Sequence, residues 1–135
     1  MPNDSFSPSL LLSVAAGSAI GGVARYCMTL WTQPRDVAFP LGTLAVNALG
    51  CLLIGAIAQY TLTTERLSPE ARVLLISGFC GGFTTFSTFS FENFELMQAG
   101  AWSRALLNVV ASVTVGIGAV WAGSALVRAA IGAPE

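Results

Sequence analysis

Four apolar stretches, each about as long as a bilayer is thick, dominate this sequence and leave few architectures open. They run roughly over residues 9–31, 41–62, 72–98 and 103–127. A membrane-crossing helix needs about 20 mainly apolar residues. In lipid, only helices or closed barrels keep every backbone group hydrogen-bonded. Only 10% of the 135 residues are charged, against about 25% in a soluble domain, so the chain lacks the polar surface to live in water. The expected fold is a single all-α integral membrane domain over residues 1–135, with four transmembrane helices and little outside the bilayer.

The connectors suit that fold. TQPRDVAFP, TTERLSPE and AGAWS are short and polar, and Ser68-Pro69 reads as a helix start, because proline at the first helical position gives up an N–H that had no partner. The N-terminal MPNDSFSPS has no basic residue, and no A-x-A-like site follows. The first apolar run is therefore expected to be a retained helix rather than a removed leader. The closing IGAPE is expected to fray.

Composition also removes whole classes of function. All six basic residues are arginine, net charge is −1, and no basic block follows a phosphate backbone, so nucleic acid is not an expected partner. The absence of histidine removes the commonest metal ligand and general base, and the chain is not expected to be an enzyme. Cys27, Cys51 and Cys80 are odd in number, lack CxxC spacing and sit in apolar runs. They read as small apolar residues rather than a disulfide framework or zinc site.

The arginines also bear on orientation. With four spans, Arg66, Arg72 and Arg128 fall on one side of the membrane, and Arg25, Arg35 and Arg104 on the other. That balance gives no positive-inside bias. Either other factors set one orientation, or copies insert both ways and pair antiparallel about an axis in the membrane plane. Many transporters build that symmetry from inverted repeats, and charge counting leaves both arrangements open. Glycines 17, 21, 22, 50, 55, 116, 118 and 123 would let helix backbones approach closely.

Polar groups inside spans are costly and tend to face the bundle interior or a water-filled path. Here they are Arg25, Asn47, the run from Thr84 to Ser90, Glu92, Asn93, Glu95, Asn108 and Ser112. Arg25 either snorkels to the interface or lines an aqueous vestibule. Asn47 either bonds a neighbouring helix or donates to an anion, and Thr43 lies one turn earlier on its face. Asn108 and Ser112 repeat that spacing in the fourth span. The third span is the most unusual, reading GFCGGFTTFSTFSFENF from Gly78 to Phe94. Gly78, Gly81 and Gly82 each cost a helix about 1 kcal/mol relative to alanine, so the helix is expected to break near residues 78–85. Carbonyls freed at a break can hold a hard monovalent cation such as Na⁺. Phe86 and Phe89 share a face beside a stripe formed by Thr84, Ser87 and Thr88. They either pack, or present positive ring edges to a small anion while the hydroxyls donate to it.

The stretch GFCGGFTTFSTFSFE closely resembles the GGxTTFSTF signature of the Fluc, or CrcB, fluoride channels. GGVARY around Arg25 and GTLAVNALGCLLIG around Asn47 extend the resemblance, which spans essentially the whole chain. It implies an antiparallel, dual-topology homodimer in the bacterial plasma (inner) membrane, with two fluoride pores and a structural Na⁺ on the dimer dyad. By that resemblance the backbone carbonyls of Gly81 and Thr84 hold the Na⁺, and Phe86 and Phe89 from the two subunits form an aromatic box. Asn47 is a pore donor, Ser87, Thr88, Ser112 and Thr43 belong to a polar track, and Glu92 and Arg25 lie at the vestibules. The implied function is passive F⁻ export that lowers cytoplasmic fluoride toxicity. The chain departs from relatives at Phe83, where several have leucine, and at Asn108, where the fourth helix often has tyrosine. Two other readings stand beside this one. A small multidrug-type proton-coupled exporter needs a deep carboxylate, and the first span has none. A non-conducting assembly subunit would have no use for a broken polar span.

Overall fold

The computed structural model describes residues 7–132. Met1 to Phe6 and the last three residues of IGAPE lie outside it, and with them most of the N-terminal segment weighed above and most of the tail. Every regular element among the described residues is helical: α1 (Pro8–Thr32), α2 (Leu41–Thr64), α3 (Pro69–Val73), a π-helical segment (Leu74–Cys80), α4 (Gly81–Phe83), α5 (Phe86–Gln98) and α6 (Trp102–Ile131). Among the described residues, four helical spans are long and apolar enough to cross a membrane: Pro8–Thr32, Leu41–Thr64, Pro69–Gln98 and Trp102–Ile131. The third begins earlier than its apolar run suggests. Pro69 is its first residue, and the Ser68 hydroxyl accepts from the Ala71 N–H at 3.2 Å. α6 extends beyond its apolar run at both ends. At about 1.5 Å per residue, its 30 residues exceed a hydrocarbon core of about 30 Å, so it tilts or protrudes.

The distribution of side chains is that of a lipid-facing molecule. Leu12, Leu30, Trp31, Leu62, Leu106, Trp121 and Leu126 are all exposed, whereas Thr43, Thr85, Asn93 and Asn108 are buried beside Val46, Cys80, Phe83 and Ala105. Apolar groups facing outward cost nothing in hydrocarbon, and the interior collects the polar groups that hydrocarbon would strand.

Close packing explains part of the glycine pattern. A Cβ at Gly55 would overlap the Val120 carbonyl oxygen, and one at Gly123 the Leu52 carbonyl oxygen, so α2 and α6 touch backbone to backbone. Gly17 meets the Leu74 carbonyl and the Gly78 backbone in the same way, and Gly21 meets Phe79. The expectation of close approach does not extend to every glycine. Gly22 and Gly118 face open space, and Gly116 has only the Cys51 sulfur at an ordinary 3.5 Å.

The glycines of the third span also act differently from the expectation. Gly78 stays within the π segment, and Gly81 and Gly82 are α-helical. Gly78 and Gly82 are small because α1 lies against them: added Cβ atoms would fall 2.9 Å from Gly17 Cα and 2.6 Å from the Ser18 carbonyl oxygen. The helix is interrupted instead at Thr84 and Thr85, both extended (φ −81°, ψ 158° and φ −149°, ψ 115°).

Candidate ion pathway at the interrupted span

Asn47 of α2 holds the interruption open. Its Nδ2 donates to the Thr85 carbonyl at 3.1 Å, and its Oδ1 accepts from the Thr85 N–H at 2.8 Å. This two-point clasp replaces the helical bonds that Thr85 forgoes, and it satisfies a peptide that would otherwise be stranded in the membrane. Gly50, one turn on, has no side chain because Thr84 occupies that space.

The clasp has an electrostatic consequence. In an unbroken helix the Thr85 N–H would donate to the Gly81 carbonyl, and the Thr88 N–H to the Thr84 carbonyl. Here Thr85 donates to Asn47, and Thr88 donates to the Thr85 hydroxyl at 3.2 Å. Gly81 and Thr84 thus each lose the i+4 donor that would have covered their carbonyl oxygens. Oxygen atoms without donors are suitable ligands for a hard cation. The described residues contain no group of three or more His, Cys, Asp and Glu side chains able to hold a metal, so the oxygen atoms at this place are those of the backbone, of the threonines and of Asn47. Gly81, Thr84, Thr85, Asn47 and Phe86 line one open concavity of about 310 Å³, together with Gly50, Cys51, Ile54, Ile76 and Cys80.

α5 starts at the break with Thr85 as its N-cap, and a cluster of hydroxyls gathers there. The Thr85 hydroxyl donates to the Thr88 hydroxyl at 3.0 Å and lies 3.3 Å from that of Ser87. The rings of Phe86 and Phe89 stand beside it, 5.6 Å apart between centroids and tilted by 42°. Phe86 is 79% exposed, so its ring projects from the chain rather than packing within it.

Further along α5, Glu92 reaches α2. The Thr43 hydroxyl donates to Glu92 Oε1 at 2.6 Å, and Thr43 is only 3% exposed. Glu92 also lines a second concavity of about 350 Å³ with Thr29, Gln33, Ala38, Pro40, Glu95, Leu96 and Ala99. The wall of that concavity is set by Gln33, whose amide donates to the Val37 and Phe39 carbonyls and accepts from the Gly42 N–H at 2.9 Å. On α6 the Ser112 hydroxyl donates to Asn108 Oδ1 at 3.3 Å, and Asn108 is fully enclosed.

These bonds link Thr43 and Asn47 of α2 with Thr85, Thr88 and Glu92 of the third span, and set Asn108 beside Ser112 on α6. Arg25 is half-buried on α1 and stands outside those bonds, which run through the other helices. Thr85 is the participant that residue type alone did not single out. Its signal was an N-cap pattern, a threonine followed three residues later by another hydroxyl at the head of a helix. Asn93 and Gln33 also have defined roles: the Asn93 amide donates to the Phe89 carbonyl at 2.7 Å.

Fold and site together define a multi-pass helical membrane protein whose third span is interrupted and braced by side chains of its neighbour. The chain belongs to the CrcB family: residues 12–124 match the family model described as CrcB-like protein, Camphor Resistance (CrcB). It is similar to proteins named "Fluoride-specific ion channel FluC". The relative from Rhizobium meliloti (strain 1021) is 46% identical over 122 residues, covering 90% of this chain and 98% of the relative. Those from Geobacter sulfurreducens (47% over 114 residues; 84% and 92% covered) and Chlorobaculum tepidum (46% over 118; 87% and 94%) are comparably similar.

Proposed function

We propose that this chain is a fluoride channel giving passive export of F⁻ across the bacterial inner membrane. The observation that carries the reading is the interruption at Thr84–Thr85. Around it stand the paired rings of Phe86 and Phe89, clustered hydroxyls and the Asn47 amide, inside a membrane span. The relatives' names supply the ion. A small, strongly hydrated anion needs donors to replace its shell, and a narrow path with few donors favours it over larger halides. In this reading Asn47, Phe86, Phe89, Ser87, Thr88, Ser112 and Thr43 border the path, with Glu92 and Arg25 towards its ends.

The assembly is an antiparallel homodimer. Support comes from the balanced arginines and from the exposed Phe86, Phe91 and Phe94 of α5, an element that touches α2 and α6 only sparsely. Two copies would bring the Gly81 and Thr84 carbonyls of both chains to a common Na⁺, whose positive charge would brace the two breaks against each other.

Fluoride efflux from liposomes, followed with a fluoride electrode, tests the function. Purified protein should release F⁻ far faster than empty vesicles, and Phe86→Ile or Phe89→Ile should slow release about tenfold or more, a barrier change of roughly 1.4 kcal/mol. Release no faster than from empty vesicles would end the channel reading. Wild-type rates in both variants would end the aromatic-path reading alone.

A further inference from the structure

The three cysteines look alike in the sequence but differ in place. All are free thiols: Cys27 is exposed on α1, Cys51 is half-buried on α2, and Cys80 is buried at the end of the π-helical segment. Cys51 and Cys80 both line the concavity of about 310 Å³ that Asn47, Gly81 and Thr84 also line, and Cys27 does not.

Helix register brings the two thiols together. α2 and the third span pass each other antiparallel along this wall. Asn47 bonds the Thr85 peptide, and a Cβ at Gly50 would lie 3.3 Å from Phe83 Cδ1 and 3.7 Å from Thr84 Cβ. Cys51 is the next residue along α2. One helical turn back from Thr84 is Cys80, whose carbonyl accepts from the Thr84 N–H at 3.0 Å and from its hydroxyl at 2.9 Å. Further along the same wall come Ile54 and Ile76. Cys51 and Cys80 therefore share a level, near enough for a charge on one to act on the other.

We propose that Cys51 and Cys80 form a two-thiol site for a soft, two-coordinate divalent cation such as Hg²⁺. Thiolate sulfur selects soft metals, whereas the oxygens of Gly81 and Thr84 suit hard ones, so the two chemistries stand side by side on one wall. Each metal–sulfur bond forms as its thiol gives one proton to water. The metal stays divalent, and nothing is oxidised or reduced. A dication between two thiolates carries no net charge, which spares the complex the cost of an ion buried in a membrane span. A zinc shell needs four ligands, and no third cysteine, histidine or carboxylate joins this pair. The site itself is independent of the fluoride-channel reading. Its consequence rests on that reading: metal here pins α2 to the third span beside Asn47 and Thr85, and so slows efflux.

The test uses Hg²⁺ alone as the probe, on Cys27→Ala protein in detergent. One Hg²⁺ per chain should protect both remaining thiols from a maleimide. Cys51→Ala and Cys80→Ala, each added to that background, should lose the metal to a competing monothiol at about 100-fold lower concentration, because the second sulfur no longer acts at high effective concentration. Two Hg²⁺ bound per chain would overturn the shared site, as would full maleimide labelling in the presence of the metal, or equal resistance to the competitor in paired and single-thiol proteins. If Cys80→Ala does not fold, Cys51→Ala at its half-buried position decides. In liposomes, Hg²⁺ should slow fluoride efflux about tenfold or more in the Cys27→Ala protein and leave the rate of the Cys27→Ala, Cys51→Ala protein where it was without metal. Efflux unmoved by Hg²⁺ that protects both thiols would overturn the inhibition. Efflux measured without metal decides the channel reading separately, so the failures are distinguishable.

Discussion

At the residue scale, Asn47 does more than its position in an apolar run suggests. An asparagine in a span can serve a helix neighbour or a permeating ion, and here one amide braces the break that both functions require. Its two bonds satisfy the Thr85 peptide, and leucine at this position would strand both groups at roughly 1–3 kcal/mol each. Asn47→Leu should therefore lower the unfolding midpoint of the detergent-solubilised protein clearly, and abolish efflux. An unchanged midpoint would show that the clasp is dispensable. The role of Asn47 was only half legible in the sequence. The residue stood out, but its partner was a backbone peptide 38 positions away, and no side-chain pattern announces a backbone partner.

At the scale of elements, the four spans were legible because hydrocarbon admits so few alternatives, and their order follows directly from hydropathy. The internal shape of the third span was not. Low helix propensity pointed to the glycines as the break, yet propensity differences of about 1 kcal/mol per residue are smaller than what tertiary contacts impose. α1 packs on Gly78 and Gly82 and keeps them helical, while Asn47 takes Thr85 out of the helix. The same packing logic separates glycines that sequence reading treats alike. Gly123→Val would drive its Cβ into the backbone of Leu52 and Ala56, and backbone cannot rotate away. We expect a loss of at least about 1–3 kcal/mol, the usual scale of overpacking, seen as poor folded yield or a lowered unfolding midpoint. Gly118→Ala, which meets open space, should behave as wild type in the same measurement. Equal tolerance of both would contradict the backbone contact between α2 and α6.

At the scale of the whole molecule, the single chain leaves three buried polar atoms of its described residues without a partner and exposes Phe86, Phe91 and Phe94 on one helix. Both features fit pairing with a second copy. A cysteine introduced as Arg66→Cys in the exposed loop between α2 and α3, in a background lacking Cys27, Cys51 and Cys80, should label from both sides of sealed vesicles. Labelling from one side only would reject dual topology. Prolonged Na⁺ removal should depress efflux reversibly, and full indifference to Na⁺ would argue against the shared cation. The solvent, the number of spans and the family were already written in the order of residues, because charge content, apolar length and a long motif are all local properties of the chain. Tertiary structure alone decided where the third helix opens and which carbonyls lose their donors. It also decided that the Thr43 hydroxyl meets the Glu92 carboxylate across 49 positions of chain. Those outcomes depend on the register between helices far apart in the chain, and register is fixed by backbone contacts at a few glycines and by side-chain bonds to peptide groups.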